Sequence, residues 1–78
     1  MRELETVALR LDEFEAMRLC DLDGHDQEAA GQRMGVSRGT VQRLLQSGRA
    51  KLLRALVDSS ALVIEKGADH EIVHPHDQ

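Results

Sequence analysis

Two helix signals abut across a three-residue turn in the segment DQEAAGQRMGVSRGTVQRLL, residues 26–45, and this arrangement constrains the chain more than any other feature. Gly35 stands where a helix must stop and the backbone turn left-handed, a conformation that residues with a Cβ enter at a cost. Ser37 then offers its hydroxyl as N-cap to the next helix. Ala30, Met34, Val36, Val41 and Leu44 fall where apolar side chains can meet at the helix crossing, and Gly31 is small enough to allow close approach. The pair reads as a helix-turn-helix. Arg38, Gly39, Gln42, Arg43 and Gln46 lie on the arc opposite the Val41/Leu44/Leu45 stripe. Arg and Gln are the side chains that pair bidentately with guanine and adenine edges in a major groove.

The charge layout sharpens that reading. The whole chain is acidic, with ten Lys and Arg against fourteen Asp and Glu, which by itself argues against a nucleic-acid partner. The sign reverses locally. Residues 29–57 hold no acid and six bases (Arg33, Arg38, Arg43, Arg49, Lys51, Arg54), whereas residues 1–28 hold nine acids and three bases. An acid-free stretch that coincides with a recognition helix has the footprint of phosphate binding. The plainer alternative is a solvated helix face with Arg chosen for propensity and solubility.

Along the chain, residues 3–10 alternate Leu4, Val7 and Leu9 with charged or small positions and read as extended. Asp12 can cap or charge a first helix over about 12–22 that buries Phe14, Met17 and Leu19 and stops before Gly24. Its acids Asp12, Glu13 and Glu15 alternate round the cylinder and need only form a solvent face. Asp26 and Glu28 put negative charge on the first turn of a second helix, about 27–34. The third helix, about 38–57, carries Leu45, Leu52, Leu53, Leu56 and Val57 over an arc wider than the turn motif needs to cover. Ala61–Glu65 and His70–His74 are β-type runs separated by a Gly-containing turn and read as a hairpin. A lone hairpin is marginal in water, so pairing with residues 4–10 or with a second chain would complete a sheet. A disordered tail after residue 66 is the alternative.

Seventy-eight residues make one domain of modest core. No apolar run is long enough to span a membrane and no secretory leader is evident, so the expected location is cytoplasmic. The single Cys20 reads as a small core thiol rather than a redox or metal group. Phe14 is the only aromatic residue, which removes base stacking on an aromatic platform. His70, His74 and His76 share strand parity and are weak candidates for a metal site, but Pro75 interrupts the run. No catalytic constellation or phosphate loop is present, so an enzyme and a cofactor are not expected.

From Gly24 to Leu52, with DQEAAGQRMGVSRGTVQRLLQSGRAKL, the chain resembles the helix-turn-helix of sigma-70 region 4, whose pattern runs Ser-x-Glu-Glu-(Ile/Ala)-Ala-x-x-(Leu/Met)-Gly-(Ile/Val)-Ser-x-x-Thr-Val. Together with LRLDEFEAMRLCDLDG upstream and ALVDSSALVIEKG downstream, residues 5–67 resemble a small uncharacterised prokaryotic family regarded as DNA-binding. Gly31 and Gly48 depart from that pattern, each standing where Ala is usual. The role of a Cys/Arg/Pro-rich segment that often precedes the first helix in such proteins is not carried over.

The expectation is therefore a mainly α fold: a three-helix, sigma-70 region 4-like helix-turn-helix domain with an extended arm over residues 1–60, and a β-hairpin appendage over 61–78 that can dimerise. The expected function is sequence-specific binding of double-stranded DNA by a transcriptional regulator. Arg38, Gly39, Gln42 and Arg43 face the groove, and Ser37, Thr40, Gln46 and Arg49 serve phosphates or the groove edge. A homodimer held by residues 52–74 is expected. The alternatives are a module that binds RNA polymerase or another regulator, and a metal-responsive switch through the histidine tail.

Overall fold

The computed structural model describes residues 5–65. Their order is β1 (Thr6–Arg10), α1 (Leu11–Met17), a π-helical turn (Arg18–Leu22), α2 (Gln27–Met34), α3 (Arg38–Asp58) and β2 (Ala61–Glu65). The first helix thus leaves regular α geometry at Arg18 instead of running to residue 22 in one conformation.

Each boundary has a local cause. At the start of α1 the Arg10 N–H donates to Glu13 Oε1 at 2.9 Å, which is half of a capping box, while Asp12 charges the first turn and accepts two bonds from the Arg10 guanidinium at 3.0 and 3.1 Å. Gly24, at φ +86°, swings the chain from the π-helical turn towards α2. Asp26 proves to be the N-cap of α2, its Oδ1 accepting from the Ala29 N–H at 2.8 Å. Gly35 ends α2 at φ 76°, and the Ser37 hydroxyl caps α3 by accepting from the Thr40 N–H at 3.1 Å. Gly31 faces this turn: a Cβ there would lie 2.7 Å from the Val36 carbonyl oxygen.

Ser59, in the left-handed conformation at φ 55°, ends α3, and the Ser60 N–H donates to the Ala55 carbonyl at 2.8 Å. The chain then returns beside β1. The two strands pair in parallel, Thr6 opposite Ala61 through Arg10 opposite Glu65. Parallel strands need a long crossover, and here the three helices together supply it. Of the pairings open to Ala61–Glu65, the one with the N-terminal arm is found. The second arm of the expected hairpin, residues 70–74, lies outside the described residues.

The core is small. Leu9, Ala16, Leu19, Ala30, Val41, Leu45 and Ala55 are buried, with Met17, Cys20, Met34 and Leu44 packed partly against them. Full burial of Leu45 or Leu9 contributes about 1.5–3 kcal/mol each. Phe14 and Val36 are at the surface instead of inside. On α1 the inward positions are Glu13 and Ala16, so Phe14, one residue round from Glu13, is turned about 100° away from the core. The wide apolar arc at the end of α3 also stays open among the described residues: Leu53, Leu56 and Val57 are 60, 66 and 74% exposed.

The cap yields a direct expectation. Ser37→Ala leaves the Thr40 N–H without its acceptor and should lower stability by about 0.5–2 kcal/mol, measured by thermal or urea denaturation. A melt that overlays the parent curve would remove the cap from this account.

Candidate nucleic-acid interface

The eight residues singled out from the sequence all fall on Ser37 and on α3 between Arg38 and Arg49. Arg38, Gly39, Gln42, Arg43, Gln46 and Arg49 are exposed, as is Ser37, and Thr40 is half-buried. The fold therefore presents them together on one outward strip whose opposite side, Val41 and Leu45, is locked in the core. Two of the hydroxyls are already engaged. Ser37 Oγ accepts the cap bond and donates to Thr40 Oγ1 at 3.0 Å, which leaves the Thr40 hydroxyl proton as the free donor of the pair. Gln27 of α2 joins Gln42, Leu45, Gln46 and Arg49 around a shallow cleft of about 380 Å³, so α2 contributes a polar side chain that the sequence reading left out.

In space the basic stretch is less free of acids than in sequence. Arg49 holds a bidentate pair with Asp21, at 3.1 and 2.7 Å, and Lys51 lies 2.9 Å from Glu13. Arg54 is 3.7 Å from Asp58. Arg33, Arg38 and Arg43 make no ion pair with any described residue. The positive footprint accordingly contracts to the turn and the first half of α3, and Arg49, read as a phosphate contact, is engaged by a carboxylate of its own chain. Arg38 also shares a cleft of about 350 Å³ with Asp26, Gln27 and Glu28, so the acids at the start of α2 border the strip on one side.

Glu13 corrects the reading of the first-helix acids as a solvent face. Its side chain is 3% exposed and accepts from the Arg10 N–H, from Ser47 Oγ, and twice from Lys51 Nζ at 2.9 and 3.0 Å. Burial pushes its carboxyl up, but the hydrogen bonds from Ser47, Lys51 and Arg10 together with the Lys51 charge outweigh that and hold it below the ordinary value. Ser47 and Lys51 stand four residues apart on α3, so this one carboxylate ties the β1–α1 junction to the middle of the helix that carries the strip. A sequence signal existed: Glu13 stands three residues before Ala16 and four before Met17, which sets it on their helical stripe. Cys20, in the π-helical turn, packs partly against the core as expected, and burial pushes its thiol up, away from the reactive thiolate.

Among the described residues no group of His, Cys, Asp and Glu is placed to hold a metal ion, and His70, His74 and His76 lie outside them. No helix of the described residues is long and apolar enough to cross a membrane.

A family model described as "Protein of unknown function DUF134" matches residues 1–73. The chain belongs to this family. Relatives of the family are found across prokaryotes under the name UPF0251 protein. One from Thermococcus kodakarensis is 51% identical over 63 residues, covering 81% of this chain and 56% of the relative. One from Moorella thermoacetica is 49% identical over 70 residues, 90% of this chain and 47% of its own length. One from Halothermothrix orenii is 43% identical over 75 residues, 96% of this chain and 55% of its own length. The chain thus spans about half the length of these curated relatives. No solved structure matches it.

Proposed function

We propose that the chain is a cytoplasmic, sequence-specific double-stranded DNA-binding protein acting in transcriptional regulation, with α2, the Gly35–Ser37 turn and α3 working as a sigma-70 region 4-like helix-turn-helix. The observation that carries this reading is the exposed strip of Arg38, Gln42 and Arg43, whose two guanidinium groups have no carboxylate partner among the described residues, whereas Arg49, Lys51 and Arg54 further along α3 each have one. Unpaired Arg on a helix with a rigid, core-anchored back is suited to phosphates and guanine edges.

Anisotropy of a labelled duplex at increasing salt tests the proposal, because phosphate contacts impose a steep negative slope of log affinity on log salt. Arg38→Ala and Arg43→Ala should each weaken binding by about 1–3 kcal/mol where the side chain reads a base, or lower affinity for all sequences and reduce the slope by about one where it meets a phosphate. Variants that bind every duplex as tightly as the parent would overturn the assignment.

A protein partner, either RNA polymerase or a second copy, is favoured by one observation: Leu53, Leu56 and Val57 of α3 and Leu62, Val63 and Ile64 of β2 are all exposed. Clusters of that kind usually mark interfaces. In our reading the occupant is a second copy, which would set two recognition helices against half-sites about 34–36 Å apart. Sedimentation should then give a dimer mass at tens of micromolar, and Leu56→Asp should return it to monomer. A monomer mass for the parent chain would sink the dimer and leave the apolar cluster to the transcription machinery.

A further inference from the structure

The acid that engages Arg49 comes from the π-helical turn, far away in sequence. Arg49 Nε and Nη2 lie 3.1 and 2.7 Å from the two oxygens of Asp21, a fork-to-fork pair. A carboxylate that offers two oxygens to a guanidinium presents the geometry of two phosphate oxygens. The side chains are 51 and 44% exposed, so the pair is accessible and weakly held, unlike the Glu13–Lys51 pair, whose carboxylate is buried. Arg49 also shares its cleft with Gln27, Gln42 and Gln46, on the flank of the strip that carries Arg38 and Arg43.

We propose that Asp21 is a specificity-determining residue that occupies the Arg49 guanidinium in place of a DNA phosphate, releasing it to a duplex that has already seated Arg38, Gln42 and Arg43. This rests on the DNA-binding function proposed above. Non-specific affinity is the summed phosphate term. Withholding one cation from that sum weakens binding to random sequence, whereas a duplex seated on the base-reading residues brings its phosphate against Arg49 at contact distance and displaces the carboxylate. The exchange replaces one charge-assisted pair with another of the same kind, so the opening costs little once the phosphate is in place. On a duplex that does not seat, the carboxylate stays where it is and Arg49 remains withheld from the backbone.

Binding of a labelled random-sequence duplex is measured against salt for the parent, Asp21→Asn, Arg49→Gln and the double variant. Asp21→Asn should bind about two- to fivefold more tightly at low salt, as expected of one exposed charge pair, and steepen the salt slope by about 0.9. Both changes should vanish in the Arg49→Gln background. Asp21→Ser, which also lacks the charge, repeats the comparison, and circular dichroism melts verify that the variants are folded. An unchanged slope in folded Asp21→Asn overturns the inference. So does weaker binding, which would make Asp21 a support for Arg49, and so does a tightening that persists without Arg49, which would be a general charge effect. If neither parent nor variants bind duplex, the DNA-binding function fails and this inference with it. Parent binding that Arg38→Ala weakens, with no response to Asp21→Asn, overturns the gate alone.

Discussion

Glu13→Ala should destabilise the protein by about 2–4 kcal/mol, because it removes the acceptor that three donors share and leaves Ser47 Oγ only its longer contact to the Leu44 carbonyl at 3.4 Å. The Arg10 N–H, Ser47 Oγ and Lys51 Nζ all converge on this carboxylate, and an unsatisfied buried donor costs about 1–3 kcal/mol. The total is less than a plain sum, since Lys51 is about one-third exposed and water can reach it. Against the 5–15 kcal/mol of an ordinary domain, and less for one this small, the loss is a large fraction. Glu13→Gln keeps the shape and one acceptor and should fall between. The sign of the pH dependence follows from the lowered carboxyl: its stabilisation is fully present above the ordinary value of about 4.3 and is lost as pH falls through that value towards the folded one, where the native state is protonated as well. Urea midpoints taken from pH 7 to pH 3 should fall for the parent and fall less for Glu13→Gln. An Ala variant within about 0.5 kcal/mol of the parent would show that the cluster is dispensable.

Gly31→Val should cost about 3 kcal/mol, at the upper end for overpacking. The Cβ alone would sit 2.7 Å from the Val36 carbonyl oxygen and 3.5 Å from Ser37 backbone atoms, and two further methyls have to be accommodated there. A flexible side chain could swing aside, but this neighbour is the turn backbone between Gly35 and the Ser37 cap. Relief therefore moves the start of α3 and the strip it carries. Gly31→Ala should be milder, because the same Cβ is offset by up to about 1 kcal/mol of helix propensity. Denaturation of both variants beside a duplex-binding measurement separates the effects. A folded Gly31→Val that binds like the parent would mean that the turn yields freely.

The segments with strong local punctuation were legible in the sequence. Gly35 and Ser37 fix the end of α2 and the start of α3 through a positive φ and a side-chain cap, neither of which depends on distant residues. The outward strip followed from helical spacing once those ends were set. What escaped was set by contacts between segments. Glu13 is hidden because its partners Ser47 and Lys51 lie more than thirty residues away, and a lone acid on a charged helix looks like surface. Asp21 reaches Arg49 by the same kind of distant pairing, so counting charges along the chain overstated how basic the strip is. Phe14 reads as inward from its residue type, whereas the inward direction of α1 is taken by Glu13 and Ala16. The direction of β2 had no local signal, since a short apolar run looks the same in a hairpin and in a parallel pair.

That parallel pair determines the order in which the molecule is sealed. Thr6 pairs with Ala61 across the whole helical segment between them, and closing so long a loop brings an entropic cost that local contacts do not share. Helices α2 and α3, linked by a three-residue turn, can dock early, with the strands following as a late clasp. Amide hydrogens of β2 should then exchange with solvent through openings smaller than global unfolding, while those near Val41 and Leu45 wait for the whole domain to come apart. The clasp joins the two ends of the described chain, so a tether or a truncation at either end would be felt first at the sheet and only through α3 at the arginine strip.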